Sequence, residues 1–307
     1  MKPIQSVLIT GANAGLGREA ARQLALHKGI EKIYLGCRNT EKARSAKAAL
    51  EAETGRKIFE IVVIDVASRT SVRAAVDALG TPIDAVVLNA GGTGGRAPGR
   101  RNEDGVTNIF ATNVLGHAVL VNELLERQLV TSTILYAGSE AARGIPKMGI
   151  AKPELDHTSV EAFTAIATGE RFREDDDPLA MYASVKRMAA LWMGAMARHY
   201  PHIRFVTMSP GGTTGTNGMD DLPFAKRLFF KHVGGLLMPL LGMMHSVDVG
   251  AKRYVDALLN ARFETGRFYA SAAGSPTGPV VDQETIDADL GNPLFQDNAR
   301  QAMHRFA

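Results

Sequence analysis

One stretch restricts the possible folds more than any other. "SVLIT" (6–10) is a short β-branched apolar run, "GANAGLG" (11–17) is a glycine-rich turn, and "REAARQLALHKG" (18–29) has helical spacing and stops at glycine. Strand, glycine turn and helix in that order form the opening unit of an alternating α/β chain. The alternation continues. "KIYLGC" (32–37), "FEIVVID" (59–65), "DAVVLNAG" (84–91), "STILYAG" (132–138) and "RFVTMSPGG" (204–212) read as buried strands, and "GRFYAS" (266–271) as a last one. Helices are predicted over 40–55, 68–79, 103–129 and 180–199. Near-continuous apolar strands separated by helices specify a parallel sheet covered on both faces. The expected class is therefore α/β, a doubly wound parallel sheet with helices on both faces.

The chain of 307 residues, 45% of them hydrophobic and 22% charged, can bury one large core. It shows no repeat or low-complexity linker, so one domain over 1–307 is expected. Two long irregular inserts, loops at 140–179 and 213–245, form a substrate lobe in this reading. The net charge of +3 and the aromatic-free basic cluster "GRAPGRR" (95–101) give no nucleic-acid signal. A single cysteine, Cys37, excludes a disulfide framework and a cysteine metal site. It suggests a reducing, cytoplasmic setting. The N-terminal residues lack a signal-peptide pattern. The apolar stretch 233–244 is too short to span a bilayer.

The glycine turn carries the first chemistry. Gly11, Gly15 and Gly17 let the backbone approach a pyrophosphate at the N-terminus of the helix, with Asn13, Ala14 and Leu16 completing the loop. The second strand ends in "GCRNTEKA", with Arg38 where an acidic residue would select NAD. A guanidinium grips a 2′-phosphate with paired hydrogen bonds, so NADP(H) is the expected cofactor, with Arg18 as a second cation. Arg38 as a plain surface arginine is the alternative. Asp65, followed by Val66, closes the third strand as an acceptor for the adenine amino group or as a helix cap.

The second constellation is "YASVK" (182–186), which sets Tyr182 and Lys186 one helical turn apart. Alone, the pair proves little. Together with "TGANAGLG", "LNAG" (88–91), Asn113 in "TNVLGH", Ser139 in "YAGS" and "SPGG" (209–212), it resembles the short-chain dehydrogenase/reductase family, in the family's order. "GCRNTEKA", "NEDGVTNIFATNVLGHAVL" and "GRFYAS" look like the branch of retinol dehydrogenases and light-dependent protochlorophyllide reductases. The absence of cysteines near the catalytic segment argues against protochlorophyllide photoreduction.

The resemblance implies a Rossmann fold, a nicotinamide cofactor and a catalytic set of Asn113, Ser139, Tyr182 and Lys186. Tyr182 would protonate an alkoxide, Lys186 would lower its pKa and Ser139 would hold the carbonyl oxygen. Asn113 would hold a water that relays protons past Lys186. Asn89, Ala90 and Gly91 would line the cofactor ribose, and Pro210, Gly211 and Thr213 would face the nicotinamide. The family's usual threonine falls at Gly215 in this chain, with Thr213, Thr214 and Thr216 as the alternatives to stand in for it.

His117 and Trp192 are read as structural residues, and "LWMGAMARHY" (191–200) as a packing face against the core or the second subunit of a homodimer. The acidic run 174–177 reads as a solvated loop. The stretch 222–244, rich in Leu, Met and Phe, suits a lid over a hydrophobic carbonyl or alcohol substrate, a peripheral membrane contact or plain core. No metal site is indicated. An inactive nucleotide-sensing or scaffold protein is the alternative from another class. A sugar-nucleotide epimerase fits the spacing of this glycine turn less well.

Overall fold

A computed structural model of the protein describes residues 2–154, 159–173, 176–214 and 242–307. The opening unit is as the sequence implies: β1 (Ser6–Thr10), a glycine turn and α1 (Gly15–Ala25). There follow β2 (Lys32–Cys37), α2 (Thr40–Thr54), β3 (Phe59–Val63), α3 (Arg69–Leu79) and β4 (Ile83–Leu88). Local chemistry sets the boundaries. The Asn39 and Ser68 side chains cap α2 and α3, and Gly55 and Gly80, both left-handed, end them.

The second half contains α4 (Gly116–Glu126), β5 (Val130–Ala137), α5 (Val160–Thr168), α6 (Pro178–His199), β6 (Arg204–Met208), α7 (Val247–Leu259), β7 (Phe268–Ser271), β8 (Val280–Asp282) and α8 (Pro293–His304). The eight strands form one sheet in the order β3-β2-β1-β4-β5-β6-β7-β8. Every pairing is parallel except that of β7 with β8. Strand order reverses between β1 and β4, the switch point where doubly wound sheets open a crevice at their carboxyl ends. Apolar side chains fill both faces. Val76, Phe110, Val114 and Met196 lie in one core, and Leu24, Leu50, Tyr254 and Leu258 in the other.

Three expectations need correction. The helix expected over 103–129 begins only at Asn108, and after one turn it widens into a π-helical turn, Ala111–Leu115, before α4. Residues 101–107 instead form a bridged turn, with Gly105 left-handed at φ +75°. The 140–179 insert is not irregular throughout. Ser159 caps α5 by accepting from the Ala162 N–H, and Gly169 ends it at φ +84°. Finally, β7 is not the last strand, because the antiparallel β8 covers its edge. The third strand also ends earlier than expected, at Val63, while β4 and β6 end at Leu88 and Met208, where 84–91 and 204–212 run into their glycine-bearing turns. Asp177 caps α6 by accepting from the Leu179 N–H. Gly215 and most of 222–244 lie outside the described residues.

Candidate active site

At the carboxyl ends of the strands a cleft of about 840 Å³ runs from the β2 terminus to the start of α6. Its first wall is the glycine turn. Gly11 has φ +68° and Gly15 φ +52°, conformations that side chains disfavour. A Cβ on Gly17 would lie 2.5 Å from the Gly11 carbonyl oxygen and 2.6 Å from the Asn89 amide nitrogen. Asn89 donates to the Thr10 carbonyl at 2.9 Å, and the Thr10 hydroxyl accepts from the Asn89 and Ala90 N–H groups at 2.9 Å each. The switch-point strands are thus pinned together beneath the turn. No side chain caps α1, which leaves its first N–H groups for an anion.

Asn13, Ala14, Leu16, Arg38, Asp65, Val66, Ala90, Gly91, Pro210, Gly211 and Thr213 all line this cleft. Arg38 is exposed beside Cys37 at the β2 end. Asp65 does not cap α3, a role that falls to Ser68. Instead its carboxylate accepts from the Ala67 N–H at 3.0 Å. Arg18 departs from the expectation. Its guanidinium is 2.5 Å from Glu53 on α2 and does not line the cleft, which leaves Arg38 as the expected cation at that wall. Gly17 lies behind the lining, where the tight turn requires it.

The opposite wall brings Ser139, Tyr182 and Lys186 together. Ser139 follows β5 by two residues and caps a short 3-10 turn by accepting from the Ala141 N–H at 3.2 Å. Burial pushes the Tyr182 phenol up to about 12, a rise that the Ser139 hydrogen bond opposes. Tyr182 is therefore a protonated acid at neutral pH. Lys186 is buried, and burial alone pulls it down to about 7. Its Nζ lies 5.5 Å from the centre of the Tyr182 ring. Glu140 has its carboxylate in a fixed cradle: the Ser209 hydroxyl at 2.5 Å, the Ser271 N–H at 3.1 Å and Arg253 at 3.6 Å.

Asn113 does not line the cleft but buttresses it from the π-helical turn. Its amide donates to the Gly92 and Ile109 carbonyls, both at 2.8 Å, and its side-chain oxygen accepts from the Gly92 N–H at 3.2 Å. A Cβ on Gly91 would lie 2.5 Å from that oxygen, so Gly91 is fitted to Asn113. The Asn113 main-chain oxygen accepts from the Tyr136 hydroxyl at 3.0 Å, with His117 Nδ1 at 3.1 Å. The sequence reading missed Tyr136. The available signal was its place three residues before Ser139 on β5. Ile145, Met148, Ile150, Leu179 and Met244 add an apolar wall to the cleft.

A doubly wound sheet therefore carries a glycine turn at its switch point and a tyrosine–lysine pair across the cleft. Residues 5–148 match the short chain dehydrogenase family model. The chain is 36% identical over 142 residues to short chain dehydrogenase rstn4 of Aspergillus nomiae, a match covering 45% of this chain and 38% of that protein. It is 35% identical over 128 residues to human retinol dehydrogenase 13, covering 41% and 38% respectively. These matches span well under half the length of the curated relatives. Among solved structures, L-sorbose reductase of Gluconobacter frateurii, complexed with NADPH and L-sorbose, superposes with a TM-score of 0.62 at 18% identity, covering 89% of this chain and 96% of that one. Over residues 5–148 the chain is thus similar to the short chain dehydrogenase family, and retinol dehydrogenases are among the curated proteins it resembles.

Proposed function

We propose that the protein is an NADP(H)-dependent oxidoreductase, moving a hydride between the nicotinamide and a carbonyl or alcohol carbon of a lipophilic substrate. The observation that carries this reading is the facing of Ser139, Tyr182 and Lys186 across one cleft from the glycine turn. The turn fits a dinucleotide: two glycines are left-handed, a third is closed to any Cβ, and the α1 terminus has no side-chain cap. Arg38 at the β2 end favours a 2′-phosphate.

The cofactor, when bound, supplies or accepts the hydride. Ser139 donates a hydrogen bond to the carbonyl oxygen and fixes its place. Tyr182 gives that oxygen its proton as negative charge develops, and takes it back in the reverse direction. Charged Lys186 favours the phenolate that remains. Ile145, Met148, Ile150 and Leu179 exclude water and favour an apolar substrate body. In this proposal the 140–179 and 213–245 segments make the substrate lobe of a single domain. A cytoplasmic setting, a peripheral membrane contact and a homodimer belong to the same reading. Among the described residues, no helix is long and apolar enough to cross a membrane.

The test uses NADPH and a panel of hydrophobic aldehydes and ketones, followed by cofactor absorbance. Tyr182→Phe is expected to lower kcat by about 100-fold or more while NADPH still binds. Normal turnover in that variant would refute the mechanism. Arg38→Asp is expected to shift preference toward NADH, and an unchanged ratio of kcat/KM for the two cofactors would refute the 2′-phosphate assignment.

A further inference from the structure

Behind Lys186 lies a continuous buried hydrogen-bond chain that the proposed chemistry does not use. It begins at Thr10, whose hydroxyl is 3.1 Å from His117 Nε2, and His117 Nδ1 is 3.1 Å from the Asn113 carbonyl oxygen. A carbonyl can only accept, so His117 bears its proton on Nδ1 and takes the Thr10 proton on Nε2. Burial pulls its pKa down to about 3, so the ring is neutral and its tautomer fixed.

From the other side, Tyr136 directs its one hydroxyl proton at the same carbonyl, at 3.0 Å. Its oxygen therefore acts as acceptor toward Lys186 Nζ, at 3.2 Å. A second Lys186 proton goes to the Ala137 carbonyl at 2.9 Å, and the ammonium also sits 4.7 Å from the centre of the Tyr136 ring. Two of the three ammonium donors are thus committed, and the third is left for the cleft that Lys186 lines.

Resting on the proposed function, we infer that Tyr136 is a positioning residue for Lys186, its hydroxyl tying the lysine Nζ to the Asn113 carbonyl. Its proton points at a carbonyl, which cannot pass a proton on. The inward path ends there, and Tyr182 exchanges its proton by way of Lys186 and the open cleft. Several groups face Lys186 or act on its partners electrostatically: Tyr182 on α6, Tyr136 on β5, Glu140 beyond β5, His117 on α4, and Tyr254 and Arg253 on α7. Glu140 is held by Ser209, Ser271 and Arg253, so the acceptors holding the Lys186 ammonium are the Tyr136 hydroxyl and the Ala137 carbonyl.

Tyr136→Phe keeps the ring and removes the acceptor. The expected result is a kcat for an aromatic aldehyde lower by about tenfold, as for loss of a charge-assisted hydrogen bond, with KM within about twofold. The Lys186 titration, followed by side-chain carbon NMR and assigned by its absence in Lys186→Met, is expected to move to lower pH. Unchanged kcat together with an unchanged Lys186 titration would overturn the inference. If Tyr136→Phe fails to fold, 3-fluorotyrosine at position 136 alone preserves the packing and weakens the acceptor. It is expected to move the titration the same way by less, and no movement overturns the inference. An inactive Tyr182→Phe beside an unaffected Tyr136→Phe would sink this inference alone. A fully active Tyr182→Phe would sink the proposed function, and the Lys186 titration would still decide the role of Tyr136.

Discussion

At the residue scale, Lys186 shows the tension between site and stability. An ammonium enclosed by Tyr136, Tyr182 and backbone is poorly solvated, and its pKa falls from 10.5 to about 7. The unfolded chain keeps this proton up to the ordinary lysine value. Between those two values the unfolded state binds more protons, so stability gains from this group as pH rises through the window. Lys186→Met is expected to raise stability at pH 7 by about 1–3 kcal/mol while abolishing turnover. The advantage should shrink toward pH 10, and denaturant titrations at several pH values check both statements. At this scale much of the candidate site was legible, because the glycine turn and the Tyr182–Lys186 pair are signalled by spacing and the family resemblance added Ser139. Tyr136 and the engaged Asn113 carbonyl were not legible, since strand register and a π-helical turn bring them together across a long sequence separation. The Arg18 pairing was not legible, because its partner, Glu53, lies on the next helix.

At the element scale, α6 carries the catalytic pair and is held from outside by the C-terminal segment. Arg187, 2% exposed, donates to Asp287 at 2.5 Å, to the Ala142 carbonyl at 3.1 Å and to Asp289 at 3.2 Å. Lys152 also reaches Asp287, at 2.8 Å. Gly194 and Arg198 meet Gln296 on α8. Burial would raise the Asp287 carboxyl, but the hydrogen bonds from Arg187 and Lys152 outweigh it and hold it below its ordinary 3.8. Its contribution is therefore present above that value and lost as pH falls through the lowered one. Asp287→Ala is expected to cost about 3 kcal/mol by leaving Arg187 buried with only part of its counter-charge, read as a drop in Tm at pH 7. The gap should narrow in acid. The ion pairs of the C-terminal segment were not legible in the sequence. Nor was β8, which at three residues has no periodicity to detect. The capping signals of α5, Ser159 and Gly169, were present in the sequence and passed over in favour of a loop.

On the scale of the whole molecule, the alternation of apolar runs and helices was enough to specify a doubly wound sheet, because parallel strands buried on both faces leave little freedom. Which helix covers which face was harder. The methionine-rich stretch at 191–200, readable as core or as subunit contact, lies buried within the chain from Leu191 to Ala197. A homodimer would have to use another surface.

That burial has a spectroscopic consequence. Trp192 is the chain's single tryptophan and is 2% exposed, ten residues along α6 from Tyr182. Excited selectively, the protein emits from one fluorophore, and that fluorophore sits on the helix that carries the acid and the lysine. A variant that keeps the short-wavelength emission of an enclosed indole has α6 seated, so its lost turnover is chemical. One whose emission moves red has lost the helix first.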